Sequence, residues 1–304
     1  MVYPLISIVV CTYNREKFIK SCLEHLKKNE TLGTDFFEVL IIDNNSNDNS
    51  AGIINSFINE NPSLPFYYFL EVNKGLSHAR NRGIAESKAQ WITYIDDDAE
   101  ADPFFVANIK KATEDYKEAV GFGGCVKPKY SESEEPAWMN KYLYGYVGSI
   151  DLGLPERKFE GKMKYPIGCN MTYRKDILLQ AGGFNNNLQA RSDDKYIFFE
   201  VFKLSNNIYY IPGMFVLHNI DKERLLFTSF KKLYMKTGNE EKKRLSLSFI
   251  EQTKKFFEYI FKIAAALLLW IMFIFKRQEI KGRYLFFSCW FTFVGFLNND
   301  VKVR

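Results

Sequence analysis

The chain has 304 residues, of which 47% are hydrophobic and 25% are charged, and its formal net charge is +5. This length and apolar content suit one large α/β domain or two smaller domains, and they exclude a disordered protein. The excess of Lys and Arg falls after residue 221 rather than along the whole chain, which argues against a general nucleic-acid binder. Five scattered cysteines form no CxxC pair, so we expect neither a disulfide framework nor a zinc site. The first residues lead into a strand without a charged leader, so we expect no export signal and a reducing cytosol.

The first third of the chain alternates predicted strands with predicted helices. Strands are expected at 5–11, 37–42, 65–72 and 91–95, and helices at about 16–28, at 51–60 and after residue 73. This order implies parallel strands with right-handed crossovers, so the carboxyl ends of all four strands meet at one edge of the sheet. Polar clusters follow all four strands at that edge, which favours a nucleotide site there.

The fourth predicted strand runs directly into three carboxylates, Asp96, Asp97 and Asp98. Adjacent carboxylates repel one another unless a cation neutralises them, and Mg²⁺ or Mn²⁺ commonly bridges such groups to substrate phosphates. We therefore predict a divalent metal that holds a diphosphate. Standing alone, the triplet would be better explained as an acidic turn with Asp98 as a helix N-cap. The glycine patterns of dinucleotide-binding folds and P-loop NTPases are absent from the strand ends.

Four successive motifs resemble those of glycosyltransferase family 2. They are Ser7 to Arg15, Ile42 to Ser46, Asn73 to Gly75 with Ala79 to Asn81, and Asp96 to Asp98. The resemblance implies an α/β protein with a single Rossmann-like glycosyltransferase A domain and a mostly parallel central sheet. It also implies inverting transfer of a sugar from a nucleoside diphosphate.

The resemblance assigns roles to individual residues of these motifs. The nucleotide-binding residues would be Thr12, Asn14, Arg15, Asp43, Asn73, Gly75, Arg80, Asp96 and Asp97. Among them, Asp43 would accept a hydrogen bond from the base, Arg80 would lie near the base or the diphosphate, and Asp96 would hold the ribose. Asp98 would bind the metal, with Asp96 as a further ligand. Because the middle residue is also acidic here, Asp97 could share either task.

Motifs in the second half of the chain extend the resemblance to about residues 5–238. Segments 168–175 and 181–184 resemble the family's acceptor-side strand and helix, and segment 191–199 resembles the one that usually contains Glu-Asp, whose Asp is the general base. This chain has Asp193 in place of the Glu, so Asp194 is the predicted base and Asp193 the alternative. Taken alone, the pair would be better explained as the start of a helix.

A further strand is predicted at 209–217, and it ends at His218. Family members commonly supply a third metal ligand at this place, so the resemblance makes His218 a metal ligand. A neutral imidazole is required for coordination.

The segment between the two halves, 121–153, contains Trp138. Aromatic faces stack on the apolar surfaces of sugars, so Trp138 is a candidate acceptor contact on a mobile flap. A surface hairpin with a partly buried Trp explains the segment equally well.

The C-terminal part of the chain is basic and apolar. Apolar residues recur at helical spacing, with lysines opposite, over 223–234 and 242–262. Two uncharged runs of 13 and 14 residues follow at 263–275 and 284–297, which is short of the roughly 20 residues that a spanning helix needs. We therefore predict helices that lie in the cytoplasmic leaflet or form a shallow re-entrant hairpin. A buried core pair or an oligomer interface is the alternative.

The predicted organisation is a catalytic domain at 1–220 and a helical, membrane-associating extension at 221–304. The catalytic domain would have a nucleotide-binding half at 1–103 and an acceptor-side half at 104–220. The predicted function is a metal-dependent (Mg²⁺ or Mn²⁺), inverting glycosyltransferase at the cytoplasmic face of the membrane. Its partners would be a nucleoside-diphosphate sugar and a glycan or polyprenyl-linked acceptor of bacterial surface polysaccharide or glycolipid assembly, with no nucleic acid.

Two other functions are weighed against this prediction. An inactive glycosyltransferase-like membrane scaffold or glycan-binding subunit would be favoured by loss of Asp98 or Asp194, and both are present. A sugar nucleotidyltransferase would need a glycine-rich loop after the first strand, and residues 12–15 contain no glycine.

Overall fold

A computed structural model describes residues 4–29, 36–130, 134–161, 164–188, 193–245 and 248–298. The chain divides into an N-terminal unit, Met1–Pro128 with Gly148–Asn219, and a C-terminal unit, Lys129–Val147 with Ile220–Arg304. The division between the units falls close to the predicted boundary at residue 220. Residues 129–147, however, group with the C-terminal helices and not with the predicted acceptor-side half. Residues 131–133 of the predicted flap and 191–192 of the predicted base segment lie outside the described residues.

The N-terminal unit contains nine strands and six helices in its described residues. They are β1 (Ile6–Thr12), α1 (Ile19–Lys27), β2 (Phe37–Asp43), α2 (Ser50–Glu60), β3 (Phe66–Leu70), α3 (Leu76–Glu86), β4 (Trp91–Asp96), β5 (Ala99–Ala101), α4 (Phe105–Asp115), β6 (Gly121–Lys129), β7 (Arg157–Lys158), β8 (Met171–Arg174), α5 (Lys175–Gln180), α6 (Asp193–Leu204) and β9 (Ile208–Asn219). The four strands and three helices predicted for the first third of the chain occur in the predicted order.

All nine strands join one sheet in the order β3-β2-β1-β4-β8-β6-β9-β5, and β7 pairs with β9. The four N-terminal strands are parallel to one another. β8 runs antiparallel to β4 and β6, and β5 and β7 run antiparallel to β9. The predicted α/β class is confirmed, but the sheet is mixed rather than mostly parallel, because the five later strands add antiparallel pairings to the four parallel strands.

β1 and β2 are buried along almost their whole length, and their sequences are almost continuously apolar, as is typical of strands covered on both faces. Ser7 and Glu38 are polar exceptions. The Ser7 hydroxyl donates to Glu38 Oε1 at 2.6 Å and accepts from Ser87 Oγ at 2.7 Å. The backbone N–H of Lys88 also donates to Glu38 Oε1, at 2.8 Å. These bonds satisfy a buried carboxylate and fix the turn that leads into β4.

The C-terminal unit is helical. Its helices are α7 (Lys222–Leu225), α8 (Phe227–Arg244), α9 (Phe249–Phe275) and α10 (Glu279–Leu297), and a 3₁₀ turn spans Tyr144–Val147. α10 packs against both α8 and α9. The two uncharged runs found in the sequence are therefore parts of longer helices that begin in charged segments.

The backbones of α8 and α10 approach closely at two glycines. A Cβ atom on Gly238 would lie 1.9 Å from the carbonyl oxygen of Thr292, and one on Gly295 would lie 2.0 Å from the carbonyl oxygen of Met235. A backbone atom cannot move aside as the end of a long side chain can. The crossing therefore depends on the missing Cβ atoms.

We expect Gly238→Ala to destabilise the C-terminal unit by about 1–3 kcal/mol, because the added methyl group overpacks the crossing. Helix propensity alone predicts the opposite, a gain of roughly 1 kcal/mol. Thermal unfolding in detergent measures the sign. Gly145→Ala is the control, because its methyl group would meet nothing within 4 Å. A Gly238→Ala variant more stable than wild type would contradict the crossing.

Candidate active site

A cavity of about 510 Å³ opens at the carboxyl ends of β1 and β4. Six of the predicted site residues line it: Thr12, Arg15, Gly75, Asp96, Asp97 and Asp98. The strand register explains this, since β1 pairs Cys11 with Asp96 on one side and Thr12 with Asp43 on the other. The three strands therefore end at the same level, and their loops meet around one space.

Six further residues line the cavity, and three of them, Tyr13, Asn44 and Lys74, have polar groups that the sequence did not single out. The Lys74 ammonium lies 5.6 Å from the centre of the Tyr13 ring, and 44% of Tyr13 is exposed. All three residues lie inside the motifs quoted from the sequence, next to Thr12, Asp43 and Gly75. This position was the sequence feature that could have identified them as lining residues.

Two of the predicted nucleotide-binding residues, Asn14 and Asp43, hold the loop after β2 instead of lining the cavity. Asn14 is in the left-handed region with φ 54°, and its backbone N–H donates to Ser46 Oγ at 3.0 Å. The carboxylate of Asp43 is buried and accepts from the Ser46 N–H at 3.0 Å and from the Tyr68 hydroxyl at 2.9 Å. These contacts of Asn14 and Asp43 fix the shape of the loop after β2.

Asn73 similarly shapes the loop before α3. The side-chain amide of Asn73 donates to Glu71 Oε1 at 2.9 Å, and the backbone carbonyl of Asn73 accepts from Asn44 Nδ2 at 2.7 Å. Asn44 Oδ1 in turn accepts from the Gly75 N–H at 2.7 Å. Gly75 has φ 137°, a conformation that favours glycine, and α3 begins directly after it. Asn44 thereby joins two loops of the cavity wall.

Asp96, Asp98 and His218 could together hold a metal ion, because their ligand atoms lie within 4.8 Å of one another. His218 Nε2 is 3.1 Å from Asp98 Oδ1, and both side chains are buried. Adjacent ligands of an octahedral ion with bonds of about 2.1 Å are about 3 Å apart, so this pair fits such an ion. Two carboxylates and an imidazole suit Mn²⁺, and the carboxylates also suit Mg²⁺.

Arg15 contacts two carboxylates of the triplet. Its Nε lies 3.7 Å from Asp97 Oδ1, and its Nη2 lies 3.7 Å from Asp98 Oδ2. Burial and then the charge of Asp98 raise the pKa of Asp97 to about 8, and the Arg15 guanidinium opposes this shift. Asp98 therefore lies between Arg15 and His218, whereas Asp97 contacts Arg15.

Arg80 is buried, and it does not line the cavity. Its Nη1 lies 2.5 Å from Asp193 Oδ2, its Nη2 lies 3.5 Å from Asp96 Oδ1, and the same Nη2 donates to the Gly168 carbonyl at 3.3 Å. The guanidinium also packs over the ring of Phe184 at 5.5 Å. Arg80 therefore connects the carboxylates at the end of β4 with the predicted base segment at the start of α6.

Asp194 follows Asp193 in the first turn of α6 and is half-buried. It accepts from the Lys195 N–H at 2.7 Å and from the Gly168 N–H at 3.3 Å. Burial and then the charge of Asp193 raise the pKa of Asp194 to about 6, while Arg80 and the two N–H groups oppose the shift. The carboxylate is therefore poised to change protonation state just below neutral pH.

Trp138, the predicted acceptor contact, is packed among other aromatic rings. It lies in the C-terminal unit, is only 6% exposed, and stacks on Tyr284 with ring centres 4.7 Å apart. Tyr146 and Phe230 meet its ring edge-on. Trp138 is thus more deeply buried than in the surface hairpin with a partly buried Trp that the sequence also suggested. Its partner rings come from distant parts of the sequence, which local composition does not reveal.

Sequence comparisons place the chain among glycosyltransferases. Residues 7–181 match the model of glycosyl transferase family 2. The chain is 25% identical over 214 residues to a glucosyl-dolichyl phosphate glucuronosyltransferase of Haloferax volcanii, an alignment that covers 70% of this chain and 66% of that protein. With three further glycosyltransferase relatives, the chain spans only 30% to 39% of the relative's length.

Solved structures with the same fold include two sugar-nucleotide complexes. Mannosyltransferase PcManGT from Pyrobaculum calidifontis, in complex with GDP-Man and Mn²⁺, matches with a TM-score of 0.65 and 16% identity over 97% of this chain and 87% of that one. S. aureus TarS 1-349, in complex with UDP-GlcNAc, matches with a TM-score of 0.58 and 15% identity over 78% and 65%. At these identities the likeness shows the fold alone, the glycosyltransferase A fold. Since the family model covers more than half of the chain, this protein belongs to glycosyl transferase family 2.

Proposed function

We propose that this protein is a metal-dependent glycosyltransferase that uses a nucleoside-diphosphate sugar as donor and a hydroxyl of a glycan or lipid-linked molecule as acceptor. The observation that carries the proposal is the convergence of Asp96, Asp98 and His218, with both carboxylates on the cavity wall. The donors bound in the two similar structures support the donor class. The dolichyl phosphate named in the Haloferax relative supports a lipid-linked acceptor.

In the proposed mechanism, Asp96, Asp98 and His218 would hold the metal ion. When bound, the ion supplies positive charge that neutralises the departing diphosphate. Thr12 and Gly75 form part of the wall that encloses the nucleotide, and Arg15 adds a cation beside the triplet. The remaining step needs a group that removes the proton of the acceptor hydroxyl.

We assign that step to Asp194. Asp193 is buried and engaged by Arg80 at 2.5 Å, so its carboxylate is held as the partner of a cation. Asp194 accepts two backbone hydrogen bonds and keeps further lone pairs for a substrate. Asp194 takes the hydroxyl proton, the acceptor oxygen bonds to the anomeric carbon, and the bond to the diphosphate breaks on the opposite face. A single displacement of this kind inverts the anomeric centre.

We further propose that the C-terminal unit binds the cytoplasmic face of a membrane. In the described residues, α9 is the one helix that is long and apolar enough to cross a bilayer, and 11% of its most apolar stretch is buried. Phe257, Phe261, Leu268 and Phe275 are exposed at helical spacing along it. Residues 221–304 carry 17 Lys and Arg against eight Asp and Glu. An exposed apolar helix in a basic unit fits an anionic bilayer surface.

The first test is thermal stabilisation of the detergent-solubilised protein by UDP, GDP or dTDP, each with and without Mn²⁺. We expect one nucleotide to raise the melting temperature only with Mn²⁺, by an amount equivalent to about 2.7 kcal/mol at 100 times its Kd. Asp98→Ala should lose this shift, whereas Asp115→Ala, an exposed carboxylate paired with Lys111, should keep it. A shift that survives in Asp98→Ala contradicts the metal assignment, and no shift with any nucleotide favours the inactive scaffold.

The pH dependence of kcat/KM for the acceptor tests the base. Because Asp194 must be deprotonated to accept the proton, kcat/KM for the acceptor should fall about tenfold per pH unit below about 6. Asp194→Asn should lower kcat by about 10²- to 10⁴-fold, remove this acid limb and leave donor binding unchanged. The assignment is wrong if Asp193→Asn abolishes the limb and Asp194→Asn retains it.

Flotation with lipid vesicles tests the membrane proposal. The protein should bind vesicles containing anionic lipid more strongly than neutral ones, and Phe261→Ser with Leu268→Ser should weaken binding at least about tenfold through lost apolar burial. Phe104→Ser in the N-terminal unit is the control, since Phe104 is 65% exposed and Phe261 is 73% exposed. Equal binding by the double variant and the control would refute α9 as the membrane contact.

A further inference from the structure

Asn219 directly follows His218 in β9 and binds the backbone of Asp98. Its N–H donates to the Asp98 carbonyl at 2.9 Å, and its side-chain amide donates to the same oxygen at 3.1 Å. Ala99 of β5 pairs with His218. Asn219 therefore links the segment that carries Asp98 to the strand that carries His218, and both of these residues are candidate metal ligands.

The same amide of Asn219 also donates to Glu100 Oε1 at 3.1 Å, and both side chains are buried. Glu100 Oε1 accepts from Ser21 Oγ at 3.2 Å, and Glu100 Oε2 lies 3.6 Å from His25 Nε2. Ser21 and His25 belong to α1. The Glu100 carboxylate thus connects the end of β9 to a helix that packs against β5.

These side-chain bonds matter because the strand pairing itself is short. β5 has three residues and lies at the end of the strand order, so few backbone hydrogen bonds hold it to β9. A metal site needs its ligand atoms fixed to within about 0.5 Å, and outer hydrogen bonds commonly provide that order. Here Asp98 directly precedes β5, and His218 lies in β9, the strand with which β5 pairs.

We propose that Asn219 and Glu100 are positioning residues that hold Asp98 and His218 at the separation a divalent cation requires. The inference rests on the metal site of the proposed function. It assigns the two residues a role in cation affinity that is separate from any contact with the donor or the acceptor.

The test is the Kd for Mn²⁺ of the full-length protein without nucleotide, measured by electron paramagnetic resonance. Asn219→Ala and Glu100→Ala should each raise the Kd by roughly 10- to 100-fold. Glu100→Gln should stay close to wild type, because an amide oxygen still accepts from Asn219. Asn108→Ala is the matched control, since it removes a side-chain amide bond to another β9 carbonyl, that of Gly213 at 2.7 Å.

Each outcome of this experiment decides one point. Wild-type affinity in both Asn219→Ala and Glu100→Ala overturns the positioning role, as does an equal loss in Glu100→Gln and Glu100→Ala, which would mean that Glu100 acts by charge. If Asn219→Ala fails to fold, the two Glu100 variants still decide. If wild type binds Mn²⁺ no better than Asp98→Ala does, the metal site itself fails, and the positioning role fails with it.

Discussion

The buried guanidinium of Arg80 is the interaction on which the arrangement of the site depends. A cation inside a protein is tolerated only when it is paired and hydrogen-bonded, and loss of one partner of a buried pair typically costs about 3–5 kcal/mol. Arg80 meets this requirement with Asp193 on α6, Asp96 at the end of β4 and the Gly168 carbonyl. The end of β4 and the start of α6 are therefore held together by one shared cation.

Neighbouring acids at α6 and in the triplet have different contacts. At α6, Asp193 faces Arg80, while Asp194 lies against the Gly168 N–H with a raised pKa. In the triplet, Asp97 and Asp98 both lie near Arg15, and Asp98 also lies near His218. Adjacent carboxylates repel one another, so nearby cations lower the cost of holding them together. Each acid nevertheless has a different set of contacts, as the separate roles in the proposed function require.

Much of the N-terminal unit could be predicted from the sequence because its signals are local. An apolar run followed by a polar turn marks both a strand and its functional end, and parallel connections bring such ends together. Long-range partners could not be predicted in the same way. Neither the contact of Arg80 with Asp193 nor that of Asn219 with Glu100 leaves a periodic signal, and the stacking of Trp138 on Tyr284 joins segments far apart in the chain.

The C-terminal helices show a different limit of sequence reasoning. Counting only uncharged residues gave runs too short to span a bilayer, yet α9 extends through Lys254, Lys255 and Lys262 as one helix of 27 residues. Lysine stems can lie along apolar surface while their ammonium groups reach polar headgroups. In the proposed membrane contact, the charged residues in the first half of α9 would therefore lie at the level of the headgroups, and their position would set how deeply the helix inserts.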